Sequence, residues 1–174
     1  KFFGAQNSID GIGKGRSNTT SSFGSDGQLQ GVIHLTSSGG LRGGPSLHEL
    51  AHNWANSMKS IPTAIGAHWG FSNIGGQLGG WQAGSLVDLG NNLYQARNPR
   101  SGNIGSWGSF ANGGNALPYS DLELYTMGLI EPSDVKQNIK IANDFAWSDR
   151  EEGIFSASSI TTRSMEQVIS IDGP

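Results

Sequence analysis

The sequence predicts an α+β domain in which a small mixed or antiparallel sheet lies beside an amphipathic helix, with a second helix and long glycine-rich loops. Three observations predict this class. Residues 46–58 carry apolar side chains at helical spacing, a β-branched run precedes them, and glycine contributes 27 of the 174 residues. We expect residues 1–174 to form one domain, because the length is ordinary for a domain.

The first half of the chain contains a predicted strand and the best predicted helix. Residues 1–30 are rich in glycine, serine and asparagine, which favours loops around short extended pieces. Residues 31–35, Gly-Val-Ile-His-Leu, form an apolar, β-branched run and are predicted to be a strand. The helix is predicted over Ser46–Met58, and Ser46 with Glu49 matches a capping box. Its apolar stripe comprises Leu47, Leu50, Ala51, Trp54 and Met58.

The second half is predicted to be irregular at first and helical later. Residues 65–115 are glycine-rich, and we expect their spaced aromatic side chains to anchor an irregular segment. These are Trp69, Phe71, Trp81, Tyr94, Trp107 and Phe110. A second helix is predicted from Tyr119 or Ser120 to Met127, where Gly128 ends it. Residues 164–170 are expected to form a short final helix.

Composition excludes several classes of function. The 11 basic and 14 acidic residues are scattered, so no electrostatic footprint for nucleic acid or an anionic membrane is present. No apolar stretch approaches the roughly 20 residues that cross a bilayer. Cysteine is absent, which excludes disulfides, thiolate metal sites and cysteine nucleophiles. Any metal ion must therefore be bound by histidines and carboxylates.

Residues 48–52, His-Glu-Leu-Ala-His, carry the clearest chemical signal. Residues four apart share one face of a helix, so His48 and His52 can direct both imidazoles at one ion. Glu49 is rotated from them and is expected beside the open position of the metal. Zinc lowers the pKa of bound water from near 16 toward about 7. Glu49 would accept the proton of that water and pass it to a departing amine.

A catalytic zinc site needs a third protein ligand, and two candidates compete for that position. His68 follows the helix by a glycine-containing turn and can fold back over its end. Glu123 lies on the second predicted helix, from which zinc sites also take a carboxylate, and Asp121 is a weaker candidate. If His68 is the ligand, Glu123 would instead hydrogen-bond a ligating histidine, or serve only as a solvated residue at a helix start.

Two further residues have both a functional and a structural interpretation. Tyr125 follows Glu123 by two positions and would serve as a hydrogen-bond donor to the transition state, or else as a core tyrosine. His34 lies on the predicted strand and is expected to be a strand residue rather than a ligand. The strand itself would offer an edge on which an extended peptide binds by β-augmentation.

These motifs together resemble the zincins, the zinc metallopeptidases with the His-Glu-x-x-His sequence. Residues 68–72, His-Trp-Gly-Phe-Ser, residues 85–88, Ser-Leu-Val-Asp, and residues 122–130, Leu-Glu-Leu-Tyr-Thr-Met-Gly-Leu-Ile, are similar to a group of secreted bacterial metallopeptidase-like proteins. More distantly the layout resembles metzincins and the immune inhibitor A type of peptidase. In metzincins a third ligand follows the helix closely, whereas here the next histidine comes later.

The resemblance implies a zincin-like catalytic domain that takes Zn²⁺ as cofactor and hydrolyses peptide bonds in proteins or glycoproteins. It implies a secreted protein, and we expect the chain to be a fragment of a longer exported precursor, acting as a monomer on a protein or peptide substrate. A binding or adhesion module is the alternative, in which zinc only stabilises a surface that recognises glycans or glycoproteins. Glu49 favours the enzyme, because a purely structural zinc site has no use for it.

Overall fold

The computed structural model describes residues 1–55, 57–64, 66–99, 107 and 117–174. Within them the chain forms ten strands and four α-helices. The strands are β1 (Phe2–Gly4), β2 (Gln6–Asn7), β3 (Ser17–Asn18), β4 (Gly31–Ile33), β5 (Val87–Gly90), β6 (Leu93–Gln95), β7 (Ile139–Asn143), β8 (Ala146–Asp149), β9 (Ile154–Ser156) and β10 (Ser159–Arg163). The helices are α1 (Gly39–Arg42), α2 (Ser46–Ala51), α3 (Asp121–Thr126) and α4 (Met165–Asp172).

The strands form several small sheets, and every pairing between the named strands is antiparallel. Three sheets have two strands each, β1 with β4, β2 with β3 and β7 with β10, and the fourth has the order β5-β6-β9-β8. The fold is thus mixed α/β. The β1–β4 sheet lies beside helix α2, which carries His48 and Glu49, because β4 contacts this helix.

The predicted strand over residues 31–35 is shorter in the structure. Strand β4 ends at Ile33, and its register pairs Phe2 with Ile33 and Gly4 with Gly31. His34 follows the strand with an exposed side chain, and its backbone amide still donates to the carbonyl of Lys1 at 2.9 Å. Twelve residues, 34–45, separate the end of β4 from the start of α2.

Helix α2 is also shorter than the predicted span of residues 46–58, because its regular hydrogen bonding ends at Ala51. The next turn is still held by amides that donate to the carbonyls of Leu50 and Ala51. Lys14 then caps the turn, donating its ammonium to the carbonyl of Asn53. Met58 is nevertheless buried in the core, so the apolar spacing predicted burial correctly and helix length incorrectly. Asn56 lies outside the described residues.

The predicted capping box of α2 is wrong. Pro45, not Ser46, is the N-cap residue, and no side chain caps the helix. The backbone amide of Glu49 donates to the carbonyl of Pro45 at 2.8 Å, so the first turn is satisfied by main chain. The Glu49 carboxylate is consequently not used to cap the helix.

Helices α3 and α4 form where the sequence predicted them, and both begin with reciprocal capping boxes. In α3 the N-cap Ser120 exchanges hydrogen bonds with Glu123, and in α4 the N-cap Ser164 does so with Gln167. Gly128 adopts a left-handed φ of 72° after α3, as a helix-ending glycine does. Among the described residues, no helix has the length and apolar character that crossing a bilayer demands.

Buried side chains form two clusters. The larger one packs α2, α3 and α4 around Trp69, Leu78 and Leu122, and the smaller one surrounds Trp81 and Trp107 beneath the four-stranded sheet. The described part of this stretch, residues 66–99, is therefore anchored by buried aromatic side chains, as expected. It is less irregular than predicted, because strands β5 and β6 lie within it. Phe110 and Ile65 lie outside the described residues.

Candidate metal centre

Three histidines meet at the end of α2. The ring centroids of His48, His52 and His68 are 5.0, 4.9 and 5.3 Å apart, pair by pair. One ring nitrogen from each lies within 4.8 Å of the others. The Nε2 atoms of His48 and His68 are 3.1 Å apart. Two nitrogens bound tetrahedrally to one zinc ion are separated by about 3.3 Å, so this spacing fits a shared ion.

His48 and His52 reach the same point because the backbone stays right-handed past the end of α2. His52 is the C-cap residue, and its φ of −60° and ψ of −15° keep the helical direction. Residues four apart on such a backbone lie one above the other. The early end of the regular helix at Ala51 therefore does not separate the two imidazoles.

His68 is brought to the helix by a strained, closely packed turn. Ala67 has a φ of 60° and Gly66 a φ of 78°, and the amide of Ala64 donates to the carbonyl of His68 at 2.6 Å. A Cβ added at Gly66 would lie 3.1 Å from two atoms of the His68 ring. This turn thus needs glycine both for its backbone conformation and for the space that the imidazole occupies.

The tautomer of His48 follows from its hydrogen bond. His48 Nδ1 lies 2.7 Å from the carbonyl oxygen of Gln77. Because a carbonyl can only accept, Nδ1 must carry the proton, and Nε2 presents its lone pair toward His68. That is the arrangement in which an imidazole binds a metal ion.

Burial and neighbouring charges favour the neutral form of His52. Burial, followed by the neighbouring His48 and His68, lowers the pKa of His52 to about 4, while the charge of Glu49 opposes this shift. A neutral imidazole is the form that donates its lone pair to a metal. At neutral pH His52 is therefore ready to bind an ion without first losing a proton.

This shift predicts how the stability of the metal-free protein depends on pH. The unfolded chain binds a proton at His52 near pH 6.5, whereas the folded chain does so near pH 4. The stability from neutral His52 is present above pH 6.5 and is lost as the pH falls toward 4. Urea unfolding of the metal-free protein between pH 7.5 and 4.5 should show this loss. His52→Gln should flatten the profile and His34→Gln should not; equal slopes in wild type and His52→Gln would contradict the prediction.

The Glu49 carboxylate lies on the wall of a cavity at the start of α2. Its side chain is 17% exposed, and Oε1 lies 3.0 Å from the terminal amine of Lys1. A cavity of about 420 Å³ opens here, lined by Glu49, His34, Leu35 and Pro45 among others. The carboxylate thus lines this cavity while it is ion-paired with the Lys1 amine.

Glu123 lies outside the three-histidine group, contrary to its candidacy as third ligand. Its side chain is fully buried, and its two oxygens accept from the amides of Gln77, Leu78 and Ser120 at 2.9 to 3.0 Å. Burial raises the pKa of Glu123, and these amide hydrogen bonds favour the charged form. The carboxylate is committed to backbone amides and not directed at the three histidines.

The other candidate residues, Asp121 and Tyr125, also lie outside the three-histidine group. Asp121 accepts from the amide of Lys136 at 3.3 Å. Tyr125 packs in the larger core, where burial and the charge of Glu131 raise its pKa. None of the hydrogen bonds among the described residues joins the Tyr125 hydroxyl to a histidine. Tyr125 therefore occupies the position of a core tyrosine, which was the structural alternative for this residue.

Sequence reasoning missed two contacts that support the motif helix. The Tyr119 hydroxyl donates to the carbonyl of Leu47 at 2.8 Å, and burial together with the charge of Glu123 raises the pKa of Tyr119 to about 12. The hydroxyl therefore remains a donor at neutral pH. The second contact, from the carbonyl of Gln77 to His48, involves main chain and leaves no signal in side-chain identity. Only the glycines on both sides of Gln77 and Leu78 hinted at a tight turn.

Comparisons with family models, with curated proteins and with solved structures find no match for this chain. Its chemistry must therefore be inferred from the motif and from the geometry of its own residues.

Proposed function

We propose that this chain is a zinc-dependent metalloendopeptidase that hydrolyses peptide bonds in proteins or glycoproteins. One observation carries the proposal: His48, His52 and His68 converge, and Glu49, which follows His48 on the same helix, lines a cavity. Three neutral nitrogen ligands with an open fourth position are typical of catalytic zinc sites.

The donor set fits zinc. His48, His52 and His68 supply nitrogen ligands, and His48 is already in the tautomer that binds metal through Nε2. Imidazole suits zinc, whereas magnesium and calcium prefer oxygen ligands. When bound, zinc acts as a Lewis acid toward a carbonyl and makes water a nucleophile at neutral pH.

The protein residues supply orientation and proton transfer. Glu49 would accept a proton from the attacking water and donate it to the nitrogen of the departing amine, so that one carboxylate serves as base and then as acid. Its freedom from helix capping supports this role, since a carboxylate turned back to the backbone would not reach the water.

The surroundings of Glu49 suit an extended peptide. The cavity beside it continues along His34 and Leu35, just after strand β4. Among the described strands β4 pairs with β1 alone, so a peptide could add to its other edge by β-augmentation. The glycine-rich, weakly charged composition and the resemblance to exported peptidases favour action outside the cell.

Metal removal tests the proposal. Purified protein is expected to contain one zinc per chain and to cleave fluorescent casein, and 1,10-phenanthroline should abolish cleavage because it removes the ion. Stoichiometric Zn²⁺ should restore cleavage, and Mg²⁺ should not. The non-chelating isomer 1,7-phenanthroline is the matched control. Cleavage that survives complete metal removal would refute the proposal. A zinc-loaded protein that cleaves neither casein nor mucin would favour the binding module instead.

A further inference from the structure

A single peptide group connects Glu123 to His48. The carbonyl of Gln77 accepts from His48 Nδ1 at 2.7 Å, and the amide of Leu78, in the same peptide unit, donates to Glu123 Oε1 at 2.9 Å. A peptide unit is planar and rigid. The position of the Glu123 carboxylate is therefore transmitted directly to the oxygen that holds the His48 ring.

The same turn also supports the segment that carries His68. The amide of Gln77 donates to Glu123 Oε2 at 3.0 Å, and the amide of Trp69 donates to the carbonyl of Leu78 at 2.7 Å. Trp69 directly follows His68. Glu123 thus fixes both amides of a turn whose two carbonyls contact His48 and the neighbour of His68.

Glu123 is itself held rigidly. It is 0% exposed, and Oε2 also accepts from the amide of Ser120 at 2.9 Å, as part of the capping box of α3. Removing a carboxylate from water is costly unless charge-assisted hydrogen bonds offset the loss. Three amide donors do so here. A neutral residue would cap α3 without that cost, as Gln167 does in α4.

We propose that Glu123 is a positioning residue of the metal centre, which acts through the Gln77–Leu78 peptide to hold His48 with its proton on Nδ1. The carboxylate polarises the peptide, and hydrogen bonds in such a chain strengthen one another. The carbonyl becomes a better acceptor, and His48 Nε2 becomes a better ligand. The effect on zinc affinity rests on the proposed function, whereas the effect on the tautomer does not.

Zinc affinity of Glu123→Gln is the first test. The variant keeps the size of the side chain, but its amide NH₂ cannot accept from a backbone amide. We expect zinc to bind roughly 10- to 100-fold more weakly, as when outer-shell partners of metal ligands are removed. Glu131→Gln is the matched control, because Glu131 is exposed. Val168→Ala, in the same core on α4, controls for general destabilisation and should bind zinc normally.

Gly76→Ala gives a second variant that retains the carboxylate. A Cβ at Gly76 would overlap the Glu123 carboxylate, so the group must move although its charge remains. Gly43→Ala is the matched control, since a Cβ at Gly43 meets nothing within 4 Å. We expect Gly76→Ala to weaken zinc binding as Glu123→Gln does and Gly43→Ala to leave it unchanged.

The decisive readout is the tautomer of His48 in the metal-free protein, measured from ¹⁵N shifts of labelled imidazoles. Folded wild type should show the Nδ1–H form, and Glu123→Gln and Gly76→Ala should show more of the Nε2–H form. An Nε2–H form in wild type, or unchanged tautomer and zinc affinity in both folded variants, would overturn the inference. Wild type without zinc affinity but with these tautomers would refute the proposed function and leave the positioning role supported.

Discussion

Replacing Glu49 with glutamine is expected to reduce casein cleavage about 100- to 10,000-fold, the range that general acid and base catalysis contributes. Glutamine has nearly the same shape but cannot accept a proton from water at neutral pH. Because Glu49 neither caps α2 nor belongs to the three-histidine group, folding and zinc content should remain those of the wild type. The loss should therefore appear in kcat rather than in metal content.

Measurement of kcat and of zinc per chain on the same preparations separates catalysis from metal binding. Glu131→Gln is again a suitable control, since it makes the same chemical change on an exposed residue. Equal cleavage by wild type and Glu49→Gln would remove Glu49 from the mechanism. Loss of zinc along with cleavage would instead assign the carboxylate to the metal site itself.

Replacing His68 with alanine should weaken zinc binding by more than 100-fold, beyond the range seen for outer-shell partners. Two imidazoles on one helical turn leave an ion underbound, and His68 Nε2 is the group 3.1 Å from His48 Nε2. Competition with a fluorescent chelator gives the dissociation constant. The effect should exceed that of Glu123→Gln, because a direct ligand is lost.

His34→Ala is the matched control for this experiment, since His34 is an exposed histidine at the end of β4. It should bind zinc as the wild type does. Wild-type affinity in His68→Ala, combined with loss of zinc in Glu123→Ala, would contradict the assignment and restore the carboxylate as third ligand.

Local sequence predicted the elements whose signals are short-range. Ser120 with Glu123 and Ser164 with Gln167 mark the starts of α3 and α4, and Gly128 marks the end of α3. The end of α2 was mispredicted because Met58 is buried without being helical. Apolar spacing indicates which residues are directed at the core. A chain can keep its side chains directed at the core through turns that follow the end of a helix.

The site was predictable in part for the same reason. The four-residue spacing of His48 and His52 determines their proximity, and a glycine turn allows His68 to return to them. Glu123 was a competing ligand in the sequence, because its oxygens are suitable for zinc. Its partners, the amides of Gln77 and Leu78, are backbone groups about 45 residues away, and no side-chain pattern records such contacts.

The peptide between Gln77 and Leu78 has a consequence for the order in which the molecule is made. His48, His52 and His68 leave the ribosome before Glu123, the carboxylate that orders their supporting turn. Domains generally fold as units during synthesis, once the segments that pack together are available. A nascent chain would thus hold the three histidines of the proposed site before it holds their geometry, and any binding of an ion there would have to wait for α3.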